Sequence, residues 1–292
     1  MEPSRIARRD MTHDEVLRKH IREVKENHKL PSPPVVVTKV IQILKDPDLN
    51  VRELSRVVSD DPALAARTLS LSRSARYALR YQPRTVHEAI LVLGLHTLRN
   101  IAVTAAAQSF MTRTGKTSQR LWNHSLAAAL ASRLLAQRIG ISDPETAFLA
   151  GLLHDIGEMI LFDSDPRDFE QIVEDAQRAG VALAQKEVEH FHFDHATAGM
   201  ALLEFWNIDE QVGEAVLRHH EVEEDSVDSL AAVLAMADYV CGKADLGFFS
   251  ELPIPTAGLM EAFGCAGENE LDQLVHEVRD AYEAESLLFK EL

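Results

Sequence analysis

Apolar residues in this chain recur at helical spacing almost without interruption, and prolines or capping residues break the pattern every ten to twenty positions. Leu17, Ile21 and Val24 form an i, i+4, i+7 stripe behind Thr12 and Glu15, a capping-box pair. Leu30-Pro31-Ser32-Pro33-Pro34 ends that segment, because proline has no N–H to donate and restricts the residue before it. Val36, Val37, Val40, Ile41 and Leu44 resume the period. Asn50 with Glu53, Asp61 before Pro62, Thr85 with Glu88, and Asp143 before Pro144 each mark a new helix start. Later helices are expected over about 167–190, 195–205, 209–220 and 229–241. No Asn-Gly or Asp-Gly turn joins alternating segments. The expected fold is all-α.

The polar stretch from Thr112 to Gln119 is the best linker, and the charge balance reverses there. Residues 1–120 hold 21 basic and 12 acidic residues, against 9 and 34 in the remainder. Either the two halves attract each other or the first presents a basic docking surface to an outside anion. The division expected is an N-terminal helix over 1–29, an N-terminal helical lobe over 30–115, a second helical lobe over 116–245 and an acidic helical segment over 246–292. No apolar run reaches the roughly 18–20 residues of a membrane span, and the first ten residues lack a secretory pattern. Cys241 and Cys265 are too few and too isolated for a disulfide scaffold or a cysteine zinc site. A cytoplasmic protein without membrane contact is expected.

Chemistry concentrates in histidine and aspartate. His154-Asp155 interrupts an apolar segment, Ala150 to Gly157, and burying both groups is costly unless each finds a partner. A hydrogen-bonded histidine at a helix end is one solution. A divalent cation is another, with imidazole and carboxylate suiting Fe, Mn, Ni or Zn. His124, His195, the pair His219-His220, and Asp238 lie on other helical segments, as bundles arrange ligands to a core metal. Neighbouring residues on a helix point about 100° apart. The two adjacent pairs therefore address either two neighbouring ions or one ion and a supporting group.

This order of ligands resembles the HD superfamily of metal-dependent phosphohydrolases. The whole chain is more similar to the HDOD family, the HD-related output domains of bacterial signalling proteins. The similarity is carried by Leu30-Pro31 to Pro34, Asp60-Asp61-Pro62-Ala63-Leu64, Ser72-Arg73-Ser74-Ala75 and Ala89 to Gly94. It continues through Leu152 to Gly157, Asp194-His195-Ala196 with Gly199, Trp206-Asn207 and His219-His220-Glu221, covering about residues 30–242. The resemblance implies a two-lobed helical bundle, an HDOD lobe followed by an HD-like lobe. It also implies a regulatory, protein-interaction role with signalling proteins as partners. His124, His154, Asp155, His195, His219, His220 and Asp238 match positions that bind one or two metals in catalytic relatives. An active phosphohydrolase acting on a small phosphoester or nucleotide, with Asp155 catalytic, is the alternative. Glu158 stands where the HD-GYP phosphodiesterase branch has lysine, and no Gly-Tyr-Pro loop follows Glu221, so a cyclic-dinucleotide phosphodiesterase is not expected.

Arg73, Arg76 and Arg80 fall at i, i+3 and i+7. On one helix face they form a candidate anion- or partner-binding stripe, or a face paired within the chain. No recognition motif points to nucleic acid. Gly115-Lys116-Thr117 lacks the preceding glycine and strand of a phosphate loop and reads as linker. His190 and His192 read as surface histidines, Trp122 and Trp206 as core.

Overall fold

The computed structural model describes residues 13–27, 30–77, 82–112, 115–141, 143–222, 229–248 and 254–290. Every regular element among them is helical, so the all-α expectation holds. The first group is α1 (His13–Asn27), α2 (Val35–Leu44), α3 (Val51–Ser59), α4 (Pro62–Ser72), a 3-10 turn (Ala75–Tyr77), α5 (Val86–Leu93) and α6 (Leu95–Met111). Next come α7 (Gly115–Arg138), α8 (Pro144–Leu153), α9 (Ile156–Ser164), α10 (Pro166–Ala179), α11 (Leu183–Phe191), α12 (His195–Phe205), α13 (Glu210–Arg218) and α14 (Leu230–Lys243). The chain continues through α15 (Ala257–Ala262), α16 (Glu268–Glu285) and α17 (Leu287–Lys290).

The helix starts follow from local chemistry. Asn50 accepts from the N–H groups of Arg52 and Glu53, Asp61 from Leu64, Thr85 from Glu88 and Asp143 from Thr146. Pro62, Pro144 and Pro166 fill first-turn positions, where no N–H is missed. The proposed Thr12 cap lies outside the described residues.

Three boundaries differ from expectation. Helix 167–190 is two helices, because Gly180 adopts the left-handed conformation (φ 64°) that closes α10. The linker is shorter than its polar composition suggests, since Gly115 to Gln119 already belong to α7. The arginine stripe does not form as a helix face. α4 ends at Ser72, Arg73 caps it and Arg76 sits in the 3-10 turn; Arg80 lies outside the described residues.

Buried apolar side chains run continuously from Ile21 and Val24 in α1, through Leu98 and Ile101 in α6, to Phe148 in α8 and Val216 in α13. A second cluster joins α7, α14, α15 and α16 around Leu135, Met236, Val240, Phe263 and Leu274. Trp122 and Trp206 are core residues, and the Trp206 indole N–H donates to the Pro31 carbonyl at 2.7 Å. Among the described residues, no single helix is long and apolar enough to cross a membrane; α5 and α6 are apolar together but bend by 111° at Gly94.

The opposed charges of the two halves meet inside the molecule. Lys25 pairs with Glu204, Lys45 with Asp209 at 3.6 Å and Arg99 with Asp209 at 2.6 Å. Arg76 pairs with Glu145 at 2.8 Å and reaches Glu285 at 3.7 Å, while Arg73 donates to the Pro83 carbonyl at 2.9 Å. The acidic C-terminal helix α16 buries Leu274, Val275 and Val278 and ties Glu277 to Arg138. Its carboxylates are therefore partly engaged within the chain.

Candidate metal centre

The helices from α7 to α14 deliver polar side chains to one point in an otherwise apolar interior. His124 lies in the first half of α7. His154 and Asp155 sit at the break between α8 and α9, not inside one helix as their apolar surroundings suggest. His195 is the first residue of α12, whose start is fixed by Asp194 accepting from the Thr197 N–H at 2.8 Å. His219 and His220 follow the last turn of α13, and Asp238 projects from α14. His124, His154, Asp155, His195, His219 and Asp238 are buried; His220 is exposed at the rim.

Close helix approach makes this convergence possible. A Cβ on Gly157 would fall 1.9 Å from the His195 carbonyl oxygen, so only glycine lets α9 lie against the start of α12. Gly151 does the same between α8 and α7, where a Cβ would meet the Ala128 carbonyl oxygen at 2.6 Å.

The imidazoles are oriented from behind. His124 Nδ1 is 3.1 Å from the Leu246 carbonyl, His154 Nδ1 2.8 Å from that of Gly151, and His219 Nδ1 2.6 Å from that of Val216. His195 Nδ1 lies 2.6 Å from Glu187 Oε2, which also accepts the His195 backbone N–H at 2.9 Å. A carbonyl or carboxylate can only accept, so each Nδ1 carries the proton and donates. In the neutral rings every Nε2 then presents a lone pair.

Those four nitrogens face carboxylate oxygens. Asp155 Oδ2 is 3.0 Å from His154 Nε2 and 3.2 Å from His124 Nε2. Its Oδ1 is 3.5 Å from His195 Nε2 and 3.6 Å from His219 Nε2. Asp238 Oδ1 lies 3.1 Å from His124 Nε2. His154 Nε2 and His219 Nε2, although buried, make no hydrogen bond. His220 Nε2 stands 2.8 Å from His195 Nε2. Lone pair against carboxylate is repulsive, and the arrangement is satisfied by protons or by a cation.

Without an ion, protons fill this role. Burial alone would lower the pKa of His124, but hydrogen bonds to Asp155 and Asp238 outweigh it and hold the ring well above its usual value. His195 is likewise raised against its burial, by the Glu187 carboxylate. Asp155 is held well below the ordinary carboxylate range: burial opposes this, but His154, His124 and His219 prevail.

The residues fit a cation. His124, His154 and Asp155 bring ligand atoms within 4.8 Å of one another, as do His195, His219 and His220, and Asp155, Glu158 and His195. Asp155 belongs to the first and third of these groups and His195 to the second and third, so the donor set accommodates two adjacent ions as well as one. Neutral imidazole with carboxylate, and no thiolate, suits first-row transition metals.

Two participants escaped the sequence reading. Glu158, with Oε2 buried and unpartnered, was visible only as a substitution for lysine; an acid amid the apolar run Ile156–Phe162 was the available signal. Burial and the nearby Asp155 charge push its pKa well above the usual range. Glu187 is fully buried, and its link to His195 depends on the chain reversal at His192 (φ 69°), which spacing alone does not reveal. His190 stays outside the cluster, 3.1 Å from Asp168.

The HDOD domain family model matches residues 30–222. A crystal structure of an HDOD domain protein with unknown function from Geobacter sulfurreducens is 27% identical, with a TM-score of 0.71, covering 92% of this chain and 98% of that one. A "Putative phosphohydrolase" from Shewanella amazonensis SB2B is 25% identical, with a TM-score of 0.68 and coverage of 92% and 97%. An "Uncharacterized protein" of Treponema pallidum (strain Nichols) is 24% identical over 265 residues, 88% of this chain; the chain spans about half, 50%, of that curated relative's length.

Proposed function

Because the chain belongs to the HDOD domain family, we propose that it is a cytoplasmic bacterial signalling regulator, acting through protein partners, whose His/Asp cluster holds one or two divalent transition-metal ions. The observation that carries the metal assignment is the set of four imidazoles, each committed through Nδ1 to an acceptor, with Nε2 turned onto Asp155. The ions are drawn from Fe, Mn, Ni and Zn. Burial of nearly the whole donor set supports a stabilising, regulatory ion over an open catalytic one.

The second reading is a phosphohydrolase acting on a small phosphoester or nucleotide. It is favoured by the meeting of two ligand groups at Asp155, by the exposed position of His220 and by similarity to the Shewanella protein. Divalent ions there would supply Lewis acidity toward the ester. Within the chain, Asp155 would hold both groups together. Glu158, kept toward its protonated form, would offer a proton where relatives of the phosphodiesterase branch offer a lysine charge. A protonated Glu158 would repel phosphate less than a carboxylate would, although it supplies no positive charge.

Elemental analysis of protein prepared without chelator or affinity-column metal tests the first reading. Transition metal should co-purify with the native chain and be lost from Asp155→Ala; a metal-free native protein that also refuses added Mn or Fe would overturn it. Turnover of p-nitrophenyl phosphate or its diester that disappears in Asp155→Ala would move the assignment to the second reading.

A further inference from the structure

α9 opens with two acids. Asp155 precedes its first residue, and Glu158 follows three positions on, where its backbone N–H donates to the Asp155 carbonyl at 3.0 Å. Positions i and i+3 of a helical turn share a face, so both carboxylates leave the same end of α9. Glu158 is 3% exposed, and its Oε2 has no hydrogen-bond partner. A carboxylate oxygen of Glu158 lies within 4.8 Å of ligand atoms of both Asp155 and His195.

The interior around Glu158 holds more acid than base. Asp155, Glu158, Glu187 and Asp238 are all buried, and among the described residues none has a lysine or arginine within ion-pair distance. Imidazoles alone face them. Ligation requires neutral rings, and the four carboxylates then carry four negative charges into a dry interior, a cost that only countercharge removes. One divalent ion answers half of that charge, and two answer all of it. The oxygens of Asp155 are already divided: Oδ2 faces His154 and His124, and Oδ1 faces His195 and His219.

Given the metal assignment above, on which this inference rests, we propose that the cluster takes two ions and that Glu158 is a ligand of the second, with Asp155 between them. His124, His154 and Asp155 form the first ligand group, and Asp155, Glu158 and His195 form the second. Glu187 engages Nδ1 of His195 and leaves its Nε2, 3.5 Å from Asp155 Oδ1, for the ion. Glutamate at this position adds the carboxylate that a second cation needs, where a lysine would repel it. A carboxylate held by a cation has no proton to give, so Glu158 acts as a ligand and not as the acid of the phosphohydrolase reading.

The test uses the full chain, stripped with chelator and reloaded with Mn(II) alone. Elemental analysis should find two Mn per native chain, and electron paramagnetic resonance should show an exchange-coupled pair. Glu158→Gln keeps the side chain's shape without its charge. It should hold one Mn, give the signal of an isolated ion and bind a second at least roughly 100-fold more weakly. That exceeds the roughly 10–100-fold expected from losing a residue that only supports a ligand. Glu158→Met, apolar and of similar length, carries the same expectation if Glu158→Gln does not fold. His190→Ala, outside the cluster, should keep both ions. A native chain that takes only one Mn, or a Glu158 variant that keeps the coupled pair, would overturn the role of Glu158 while leaving the metal assignment in place. A native chain that takes no Mn would overturn both.

Discussion

At the residue scale, Glu187 shows how the candidate metal centre is secured from outside its ligand set. Its Oε2 takes two hydrogens of His195, one from the ring and one from the backbone. Glu187→Ala would orphan both donors in a dry interior, at about 1–3 kcal/mol each. It should also weaken metal affinity by roughly 10–100-fold, measured by chelator competition, with Glu187→Gln restoring most of it. A Glu187→Ala protein that binds metal as tightly as the native chain would remove the carboxylate from this role. The protons of the ion-free site give a second prediction. His124 and His195 have folded pKa values above the usual 6.5, so they contribute stability that is full below about pH 6.5 and is lost as pH rises through those raised values. Asp155, lowered, contributes stability above the usual carboxylate pKa and loses it only as pH falls through its depressed value. His154, His219, Asp238, Glu158 and Glu187 face the same groups. Melting temperature of chelator-treated protein should fall from pH 6.5 toward 9. Metal-loaded protein should resist that fall, because ligation requires the deprotonated rings. Parallel profiles would count against the site. The ligands themselves were legible as polar residues set in apolar helical segments, whereas Glu158 and Glu187 were not, since their roles appear only when separate helices meet.

At the element scale, the decisive contact is backbone against backbone. Gly157 lets α9 touch α12 at the His195 carbonyl, which sets the distance between Asp155 and His195. Gly157→Ala forces these helices apart and should cost about 1–3 kcal/mol in urea unfolding, with loss of bound metal. Gly199→Ala, whose Cβ would crowd the Val216 side chain at 3.2 Å and make ordinary contacts with the Gly157 nitrogen at 3.6 Å and Ile156 at 3.7 Å, should be milder on both measures. Equal effects would mean that the approach of α9 to α12 does not set the site. Helix starts were readable because a cap is a local event: Asn50, Asp61, Thr85 and Asp143 each bond within three residues. The interruption between α8 and α9 was not readable. No proline or glycine adjoins His154-Asp155, and the nearby Gly151 and Gly157 serve close helix approaches, so residue type does not mark the turn there.

For the whole molecule, the asymmetry of charge in the sequence becomes a set of bonds across the fold. Arg76 connects the 3-10 turn to Glu145 on α8 and approaches Glu285 at the end of α16. Arg76→Glu should lower stability by about 1 kcal/mol, and raised salt should reduce the difference between variant and native protein. A variant as stable as the native chain at low salt would show that these contacts contribute nothing. The imbalance itself was evident from composition, but which arginine meets which acid depends on the turn after Ser72, where a helical count of i, i+3 and i+7 ceases to apply.

His154 and His219 each hand a ring proton to the carbonyl three residues back, Gly151 and Val216, at the ends of α8 and α13. Each imidazole is thus a hook fastened to its own helix, and it travels with that helix's final turn. Slippage of either rod by one pitch, about 5.4 Å, would carry its nitrogen out of reach of Asp155. On the proposed metal assignment, ion occupancy would therefore depend on the register of these two helices against Asp155.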